Sequence, residues 1–295
     1  IFKNFRIFKP IVKINLRLKI FIQMNYIIAS YGGPIPNRKK KKKAEFFLTF
    51  NLKCLFSLLH TNKESLIKQV TIVCPQVKEN PYKNYYNKEK WIEKFKAIPH
   101  VKLVYLDYVG ENEHASYDQW IQAYLAFPNF DYYILCEDDY TINPDLKNFD
   151  SELLRIYKEK FSNNIGYLCS RAGKNIFPHH AMVSNGMISR ETFLKVPLKN
   201  NDLLHTFYET LCPGSKQTVP QLQFSNMFHF NGIPVLDYTD YYAVKYHHSG
   251  LQMIQDYSTK TGLKQLFIPI QILPNSTILD FGESTELSCE EILQK

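Results

Sequence analysis

The stretch "YYILCEDDYTIN", residues 132–143, joins an apolar, strand-like run to three adjacent carboxylates. The run "YYILC" has the length and the aromatic and aliphatic content of a strand buried in a sheet. Glu137, Asp138 and Asp139 follow it, and no Lys or Arg stands nearby to neutralise them. Because adjacent carboxylates repel one another, such a cluster at the end of a buried strand needs a cation, water or raised pKa values. A solvated acidic turn before the loop signal "NP" is the competing interpretation.

Outward from this stretch, strand-like and helix-like segments alternate along the chain. The predicted strands are residues 25–31, 69–74, 101–107 and 131–136. The predicted helices are an apolar segment at 46–59, a helix capped by Asn87 and stopped by Pro99, and a helix that starts at a Ser116/Gln119 capping box and stops at Pro128. Strands separated by helices predict right-handed crossovers and an α/β fold with a mostly parallel central sheet flanked by helices.

The helix before the acidic stretch has an amphipathic pattern. Its predicted buried face consists of Tyr117, Trp120, Ile121, Tyr124 and Leu125. Two further strands are predicted beyond the acidic stretch, "GYLCS" at 166–170 and a segment within 181–189.

The position of the carboxylates favours a function over a plain turn. In open α/β sheets, ligands bind beyond the carboxyl ends of the strands, which is where Glu137 to Asp139 are predicted to lie. A divalent metal bound to a diphosphate supplies the missing cation, since hard oxygen ligands suit Mg²⁺ or Mn²⁺. An acidic triplet alone would favour the solvated turn, whereas its place after four alternating strands favours a metal site.

The formal charge of +8 is concentrated near the N-terminus. Residues 1–44 hold twelve Lys and Arg and no Asp or Glu, which leaves 24 basic against 28 acidic residues, a charge of −4, in the remainder. Residues 1–23 are predicted to be a basic extension, untranslated or disordered, because Met24 follows them and no apolar run reaches the ~18 residues of a membrane span. A basic membrane anchor or a transit peptide is the alternative. The run "NRKKKKK" at 37–43 fits either a solvated loop or a nucleic-acid patch.

The six cysteines show no C-x-x-C spacing. Cys74, Cys136 and Cys169 each fall near the end of an apolar run, so buried free thiols are predicted. Free thiols, with no signal peptide or membrane span evident in the sequence, predict a reducing, cytoplasmic location. The lone glycosylation sequon at Asn275 weighs little against this expectation.

The segment "FDYYILCEDDYTIN" resembles the strand and DXD-type acidic motif of glycosyltransferases with the GT-A fold. The resemblance is strongest to viral and microbial enzymes in which this motif has the sequence EDDY. The resemblance also includes "YIIASYGGP" at 26–34, "VTIVCP" at 70–75, "ASYDQWIQAY" at 115–124 and "HHAMVSNGMISRETF" at 179–193. It implies a Rossmann-like GT-A domain over 24–273, with a nucleotide-sugar-binding half at 24–145, a smaller acceptor half at 146–273 and an acidic tail at 274–295.

The resemblance also implies roles at a metal centre that holds Mn²⁺ or Mg²⁺. Asp139 would be the principal ligand, Asp138 would contact ribose or metal, and Glu137 would support them. GT-A enzymes often complete the metal site with a histidine from a C-terminal segment, which points to His247 or His248, since imidazole suits Mn²⁺. Structural histidines are the alternative.

Residues near the first and third helices are candidates for donor binding. Ala29, Ser30 and Tyr31 precede a Gly-Gly turn, where the backbone can approach a nucleotide and Tyr31 can stack on the base; an ordinary turn explains the same pattern. Ser116 and Tyr117 begin a helix at the predicted carboxyl edge, a favourable place for phosphate or sugar contacts, although capping alone explains Ser116.

Other candidates lie after the acidic motif. Arg171 could reach the donor sugar or diphosphate, with a surface arginine as the alternative. Asn185 and Gly186 are predicted to line the acceptor side, because glycine lets a ligand approach closely. An inverting transferase needs a general base, and the sequence leaves Asp202, Glu209, Asp237 and Asp240 as unassigned candidates.

These observations predict a metal-dependent glycosyltransferase that moves a sugar from a nucleotide donor, UDP-linked, to a saccharide or glycan acceptor. One alternative is a sugar-nucleotide nucleotidyltransferase, for which "GGPIPNRKKKKK" is a loose version of the phosphate loop. Another is a non-enzymatic protein that uses its basic arm on nucleic acid or a membrane surface. The main prediction expects no nucleic-acid partner.

Overall fold

A computed structural model describes residues 22–30, 41–75, 87–108, 115–138, 140–142, 146–173, 180–196, 224, 227–228, 231–237 and 267–269. The helices are α1 (Lys41–Thr61), α2 (Lys88–Phe95), α3 (Ala115–Ala126), α4 (Phe149–Lys160) and α5 (Arg190–Lys195). The strands are β1 (Met24–Ala29), β2 (Ile67–Pro75), β3 (Lys102–Tyr108), β4 (Tyr132–Glu137), β5 (Tyr140–Ile142), β6 (Tyr167–Gly173), β7 (His180–Ser189), β8 (Val235–Asp237) and β9 (Phe267–Pro269).

Seven of these strands form one mixed sheet in the order β3-β2-β1-β4-β7-β6-β8. The first four run parallel to one another, because helices connect them and return the chain to the same edge. Strand β7 runs antiparallel to both β4 and β6, whereas β8 is parallel to β6. This topology confirms the prediction of an α/β fold with a mostly parallel sheet.

The sheet is buried on both faces. All six residues of β1 are buried, and its five apolar residues are divided between two hydrophobic clusters. Tyr26 and Ile28 pack into the cluster that contains residues of α1, α2 and α4. Ile27 and Ala29 pack into the cluster that contains residues of α3 and α5. Burial on both faces explains why the apolar residues of β1 are not limited to alternate positions.

Of two predicted helix caps, one is correct in position but lacks the side-chain hydrogen bond, and the other is wrong. Asn87 precedes α2 in a left-handed conformation, with φ of 43°, and makes no side-chain cap hydrogen bond. Ser116 and Gln119 lie inside α3, which begins at Ala115, and their side chains bond to other strands instead of forming a capping box. Leu125, expected on the buried face of α3, is 46% exposed, while the other four residues predicted for that face are buried.

A short second sheet lies directly after the acidic stretch. Strand β5 pairs antiparallel with β9, so Thr141 stands opposite Ile268. Phe149 of α4 packs edge-on against Phe267 of β9, with ring centroids 5.2 Å apart. These contacts place β9, a segment from the C-terminal part of the sequence, beside β5, the strand that follows the acidic turn.

The cysteines within the described ranges are free thiols, as predicted. Cys74, Cys136 and Cys169 are buried, and Cys54 of α1 is half-buried. Burial raises the pKa of the Cys54 thiol from 9.0 to about 11. Among the described helices, none combines the length and apolar character that crossing a bilayer requires.

Candidate functional site

The acidic turn lies at the carboxyl edge of the parallel strands. Glu137 is the last residue of β4 and stands beside Ala29, the last residue of β1, in the parallel register. The amide of Asp138 donates to the carbonyl of Ala29 at 3.1 Å, which extends the pairing one residue into the turn. The backbone of the turn is therefore fixed by the sheet through Asp138.

The side chains of Ser30 and Asp138 meet at this edge. Ser30 Oγ donates to Asp138 Oδ2 at 3.2 Å, and the two residues are 1% and 7% exposed. The amide of Ser30 donates to the carbonyl of Val73 in β2 at 3.3 Å, so the serine is held from the other side as well. Ser30, predicted as a nucleotide-loop residue, thus orients one carboxylate of the acidic turn.

Helix α3 supplies a stripe of polar contacts to the same edge. Ser116, Gln119 and Trp120 are spaced i, i+3 and i+4, which places them on one side of a helix. Ser116 Oγ donates to Glu137 Oε1 at 2.6 Å, Gln119 Nε2 donates to the Ser30 carbonyl at 3.1 Å, and Trp120 Nε1 donates to the Cys136 carbonyl at 3.2 Å. The first turn of α3 is therefore joined to the ends of both β1 and β4.

Strand β7 supplies the third support of the turn. Asn185 is fully buried, and its Oδ1 accepts the amide proton of Glu137 at 3.0 Å. The neighbouring Gly186 has a packing reason: a Cβ atom there would lie 2.0 Å from the carbonyl oxygen of Leu168 in β6. Close approach of β6 accounts for this glycine, and its predicted contact with an acceptor stays a prediction.

Sequence reasoning missed a second buried carboxylate near this edge. Tyr108, the last residue of β3, hydrogen-bonds through its hydroxyl to Oδ2 of Asp118 in α3. Asp118 is 4% exposed, and its Oδ1 has no hydrogen-bond partner within the described ranges. The signal in the sequence was an acidic residue, next to Gln119, inside a largely apolar helix that begins near a strand end.

The remaining predicted residues fall in three groups. Tyr117 packs in an aromatic cluster, with its ring centroid 5.2 Å from that of Trp120 and 5.1 Å from that of Phe224, and its contact with the donor stays a prediction. Arg171 and Asp237 lie in β6 and β8, where the structure describes only their backbone. Tyr31, Asp139, Asp202, Glu209, Asp240, His247 and His248 lie outside the described residues.

The donor set at the turn is compatible with a divalent metal. Asp138 and Glu137 supply hard carboxylate oxygens, and neutral serine hydroxyls donate to both of them. No three His, Cys, Asp or Glu side chains come together as a metal site in the described part of the chain. A complete ligand set would therefore need residues outside it, such as Asp139 and one of the two histidines.

Comparison with known proteins gives structural likenesses only. The sequence matches no protein-family model and no curated protein. The crystal structure of S. aureus TarS 1–349 is similar at 11% identity and a TM-score of 0.42, covering 83% of this chain and 67% of that chain. A UDP-glucose pyrophosphorylase complexed with UDP-glucose is similar at 10% identity and a TM-score of 0.40, covering 72% and 89%. A glycosyltransferase involved in the glycosylation of the major capsid of PBCV-1 is similar at 14% identity and a TM-score of 0.40, covering 76% and 98%. These values describe similarity of the backbone alone. The activity of this chain has to be inferred from its own residues.

Proposed function

We propose that this protein is a metal-dependent glycosyltransferase that moves a sugar from a UDP-linked donor to a saccharide or glycan acceptor. The observation that carries the proposal is the convergence of three separate elements on one acidic turn. Ser30 after β1, Ser116 in α3 and Asn185 in β7 each hydrogen-bond to Glu137 or Asp138 at the carboxyl edge of the sheet. A solvated surface turn would not require buried partners from three elements.

The proposed metal is Mn²⁺ or Mg²⁺, held by Asp138 and Asp139 and completed by His247 or His248. When bound, such an ion neutralises the charge that develops on the departing nucleoside diphosphate. The pairing of β9 with β5 favours a metal ligand from the C-terminal region. Strand β5 begins one residue after Asp139, so β9 returns the chain to the neighbourhood of the acidic turn. Glu137, bonded to Ser116 and Asn185, has the supporting role that its contacts favour.

The chain's own residues pre-orient this site before a ligand arrives. Ser30 and Ser116 direct one carboxylate each, and Gln119 of α3 ties the end of β1 to the helix through the Ser30 carbonyl. Buried, packed supports of this kind keep the carboxylates in one geometry, which lowers the reorganisation needed when charge develops. No described residue is assigned as the general base.

A uridine donor is compatible with a buried acceptor, Asp118 of α3, which lies beside the end of β3. Strands β3 and β4 are three strand spacings apart, about 14 Å, a distance that a nucleoside diphosphate can cover. With the diphosphate at Asp138, the base would lie towards Asp118. Tyr108 donates to Oδ2, and Oδ1 has no described partner, so Oδ1 could accept an N–H of a base such as the N3–H of uracil.

The test is a screen of UDP-, GDP- and CDP-sugars with the full chain and Mn²⁺, in which released nucleoside diphosphate is measured with and without EDTA. The proposal expects metal-dependent release of UDP from at least one UDP-sugar, faster in the presence of saccharide acceptors. Absence of turnover together with absence of Mn²⁺-dependent UDP binding would refute it. The substitution Asp118→Asn should weaken UDP binding, because it replaces the carboxylate proposed to accept the N–H of the base.

Two further assays test the alternatives from the sequence. When UTP and a sugar phosphate are supplied together, a nucleotidyltransferase would join them and release pyrophosphate, and that result would replace the proposed reaction. A basic-arm binding protein would bind DNA or anionic vesicles in a salt-dependent manner, and neutralising the Lys and Arg of residues 1–43 would abolish that binding.

The histidines need a separate experiment. If one of them completes the metal shell, His247→Ala or His248→Ala should weaken Mn²⁺ and UDP binding together, while the other substitution has little effect. The loss should grow as the pH falls through about 6.5, because a protonated imidazole cannot ligate a metal. Unchanged Mn²⁺ affinity in both variants would assign the pair a structural role.

A further inference from the structure

Asn185 lies beside the acidic turn, and its two amide atoms have different situations. Oδ1 accepts the amide proton of Glu137 at 3.0 Å. Nδ2 is buried and has no hydrogen-bond partner among the residues that the structure describes. A buried donor without a partner costs about 1–3 kcal/mol, so a position that keeps such a donor calls for an explanation.

The position of Asn185 follows from the strand register. Strands β4 and β7 pair regularly from Tyr132↔Ser189 to Leu135↔Gly186. Beyond that last pair, the amide of Glu137 meets the side chain of Asn185 instead of a backbone carbonyl of β7. The asparagine therefore ends the ladder and holds the first peptide of the acidic turn. Gly186 fixes its place, because β7 lies there in direct contact with the backbone of β6.

The order of strands indicates which part of a ligand the free amide would meet. Across the carboxyl edge the sequence is β1, β4, β7, so Asn185 lies on the opposite side of the acidic turn from Ser30. With a nucleotide towards β1 and its diphosphate at Asp138, the group towards β7 is the sugar. A neutral amide N–H suits a sugar hydroxyl or ring oxygen, whereas phosphate oxygens favour cationic donors.

We infer that Asn185 is both a positioning residue for the acidic turn, through Oδ1, and a contact for the donor sugar, through Nδ2. This inference rests on the proposed function. It assigns Asn185 to the donor sugar, where the sequence had suggested the acceptor side. It also explains the choice of an amide at this place: a carboxylate could accept the Glu137 amide proton equally well, but it would offer no donor and would add charge beside the turn.

The test separates the two amide atoms with two variants. Asn185→Asp keeps an acceptor for the Glu137 amide and removes the donor, whereas Asn185→Ala removes both. Asn25→Ala is the matched control, since Asn25 is also fully buried on a strand, accepts a hydrogen bond through Oδ1 and has no described partner at Nδ2. It lies at the amino end of β1, away from the acidic turn.

Each variant is titrated with Mn²⁺–UDP and, separately, with UDP-glucose, UDP-galactose and UDP-N-acetylglucosamine in the presence of Mn²⁺. The sugar's contribution is defined as the affinity for a UDP-sugar divided by the affinity for UDP, both measured with Mn²⁺. It is calculated for the UDP-sugar that the wild type binds best. Asn185→Asp should bind Mn²⁺–UDP at least as well as the wild type does, yet lose about 3- to 10-fold of the sugar's contribution. Asn185→Ala should lose Mn²⁺–UDP affinity as well as the sugar's contribution. Asn25→Ala should keep both, although it is less stable than the wild type.

The possible failures are distinguishable. If the wild-type chain binds neither Mn²⁺–UDP nor a UDP-sugar, the proposed function fails and the role of Asn185 falls with it. If the wild type binds both and Asn185→Ala binds Mn²⁺–UDP equally well, the positioning role alone is overturned. If Asn185→Asp retains the full contribution of the sugar, the sugar contact is overturned. Equal losses in Asn25→Ala and Asn185→Ala would reduce Asn185 to a residue needed for stability.

Discussion

Replacing Asp138 by asparagine should separate metal binding from stability. The side chain keeps its shape and loses its charge. Asp138 and Glu137 are adjacent, with carboxyl groups about 8 Å apart if they follow the alternation of a strand. At an effective dielectric constant of about 20, two like charges at that distance repel by about 2 kcal/mol, which the substitution removes.

The substitution also weakens the hydrogen bond from Ser30. Ser30 Oγ now donates to Asp138 Oδ2 at 3.2 Å, and it would donate to a neutral amide oxygen instead, at a loss of about 1 kcal/mol. The net expectation is a gain of about 1 kcal/mol, a rise of about 2–4 °C in Tm for a domain of this size. Mn²⁺-dependent UDP binding should fall by more than about 100-fold, because even partners outside the ligand shell are worth about 10- to 100-fold.

The assay combines thermal unfolding with calorimetric titration of Mn²⁺–UDP. The control is Asp131→Asn, which makes the same charge change just before the amino end of β4, where Asp131 Oδ2 accepts the Gln23 amide proton at 2.8 Å. This control should leave UDP binding unchanged. Unaltered binding in Asp138→Asn would refute the metal assignment. A fall of several degrees in Tm would show that Asp138 serves the fold as a partner of a cation, which would refute the electrostatic reasoning.

Three further outcomes are expected. Ser116→Ala removes the hydroxyl that donates to Glu137 at 2.6 Å, so Mn²⁺–UDP affinity measured by calorimetry should fall by about tenfold, and an unchanged affinity would contradict the supporting role. Tyr157→Phe removes the acceptor of the buried Ser189 amide and a donor to the Gly166 carbonyl, so urea unfolding should give a loss of about 2 kcal/mol; a loss below about 0.5 kcal/mol would count against it. Burial raises the pKa of the Cys54 thiol from 9.0 to about 11, so the folded state favours the neutral thiol and its contribution to stability is lost as the pH rises from about 9 through about 11. Urea unfolding at about pH 8 and about pH 10 should register this loss, and Cys54→Ala should remove that part of it.

The sequence predicted the parallel half of the sheet because the information is local. A strand buried on both faces is a continuous apolar run, and Tyr132 to Cys136 is such a run with an acidic end. The alternation of these runs with helices then implied parallel neighbours, and the observed pairing of β1 with β2 and β4 agrees with it. Helix caps were predicted less well, since a polar residue near a helix start can bond either to its own backbone or to another element.

Ser116 illustrates that choice. Serine and glutamine three residues apart satisfy the pattern of a capping box, but here the serine reaches Glu137, 21 residues away, and Gln119 reaches the Ser30 carbonyl, 89 residues away. Packing of α3 against the strand ends provides these partners. A local pattern contains no information about these partners. The capping prediction therefore assigned hydrogen bonds of a suitable kind to the wrong partners.

The sequence by itself determined the class of fold and the position of the acidic turn at the end of a buried strand, because both depend on the hydrophobic pattern of consecutive residues. Only the tertiary structure placed β7 antiparallel between β4 and β6 and brought Asn185 to the amide of Glu137, 48 residues away in the chain. The same holds for Asp118, whose partner Tyr108 ends another strand. The physical reason is that burial and periodicity are encoded along the chain, whereas a buried polar group finds its partner only after distant elements have packed together.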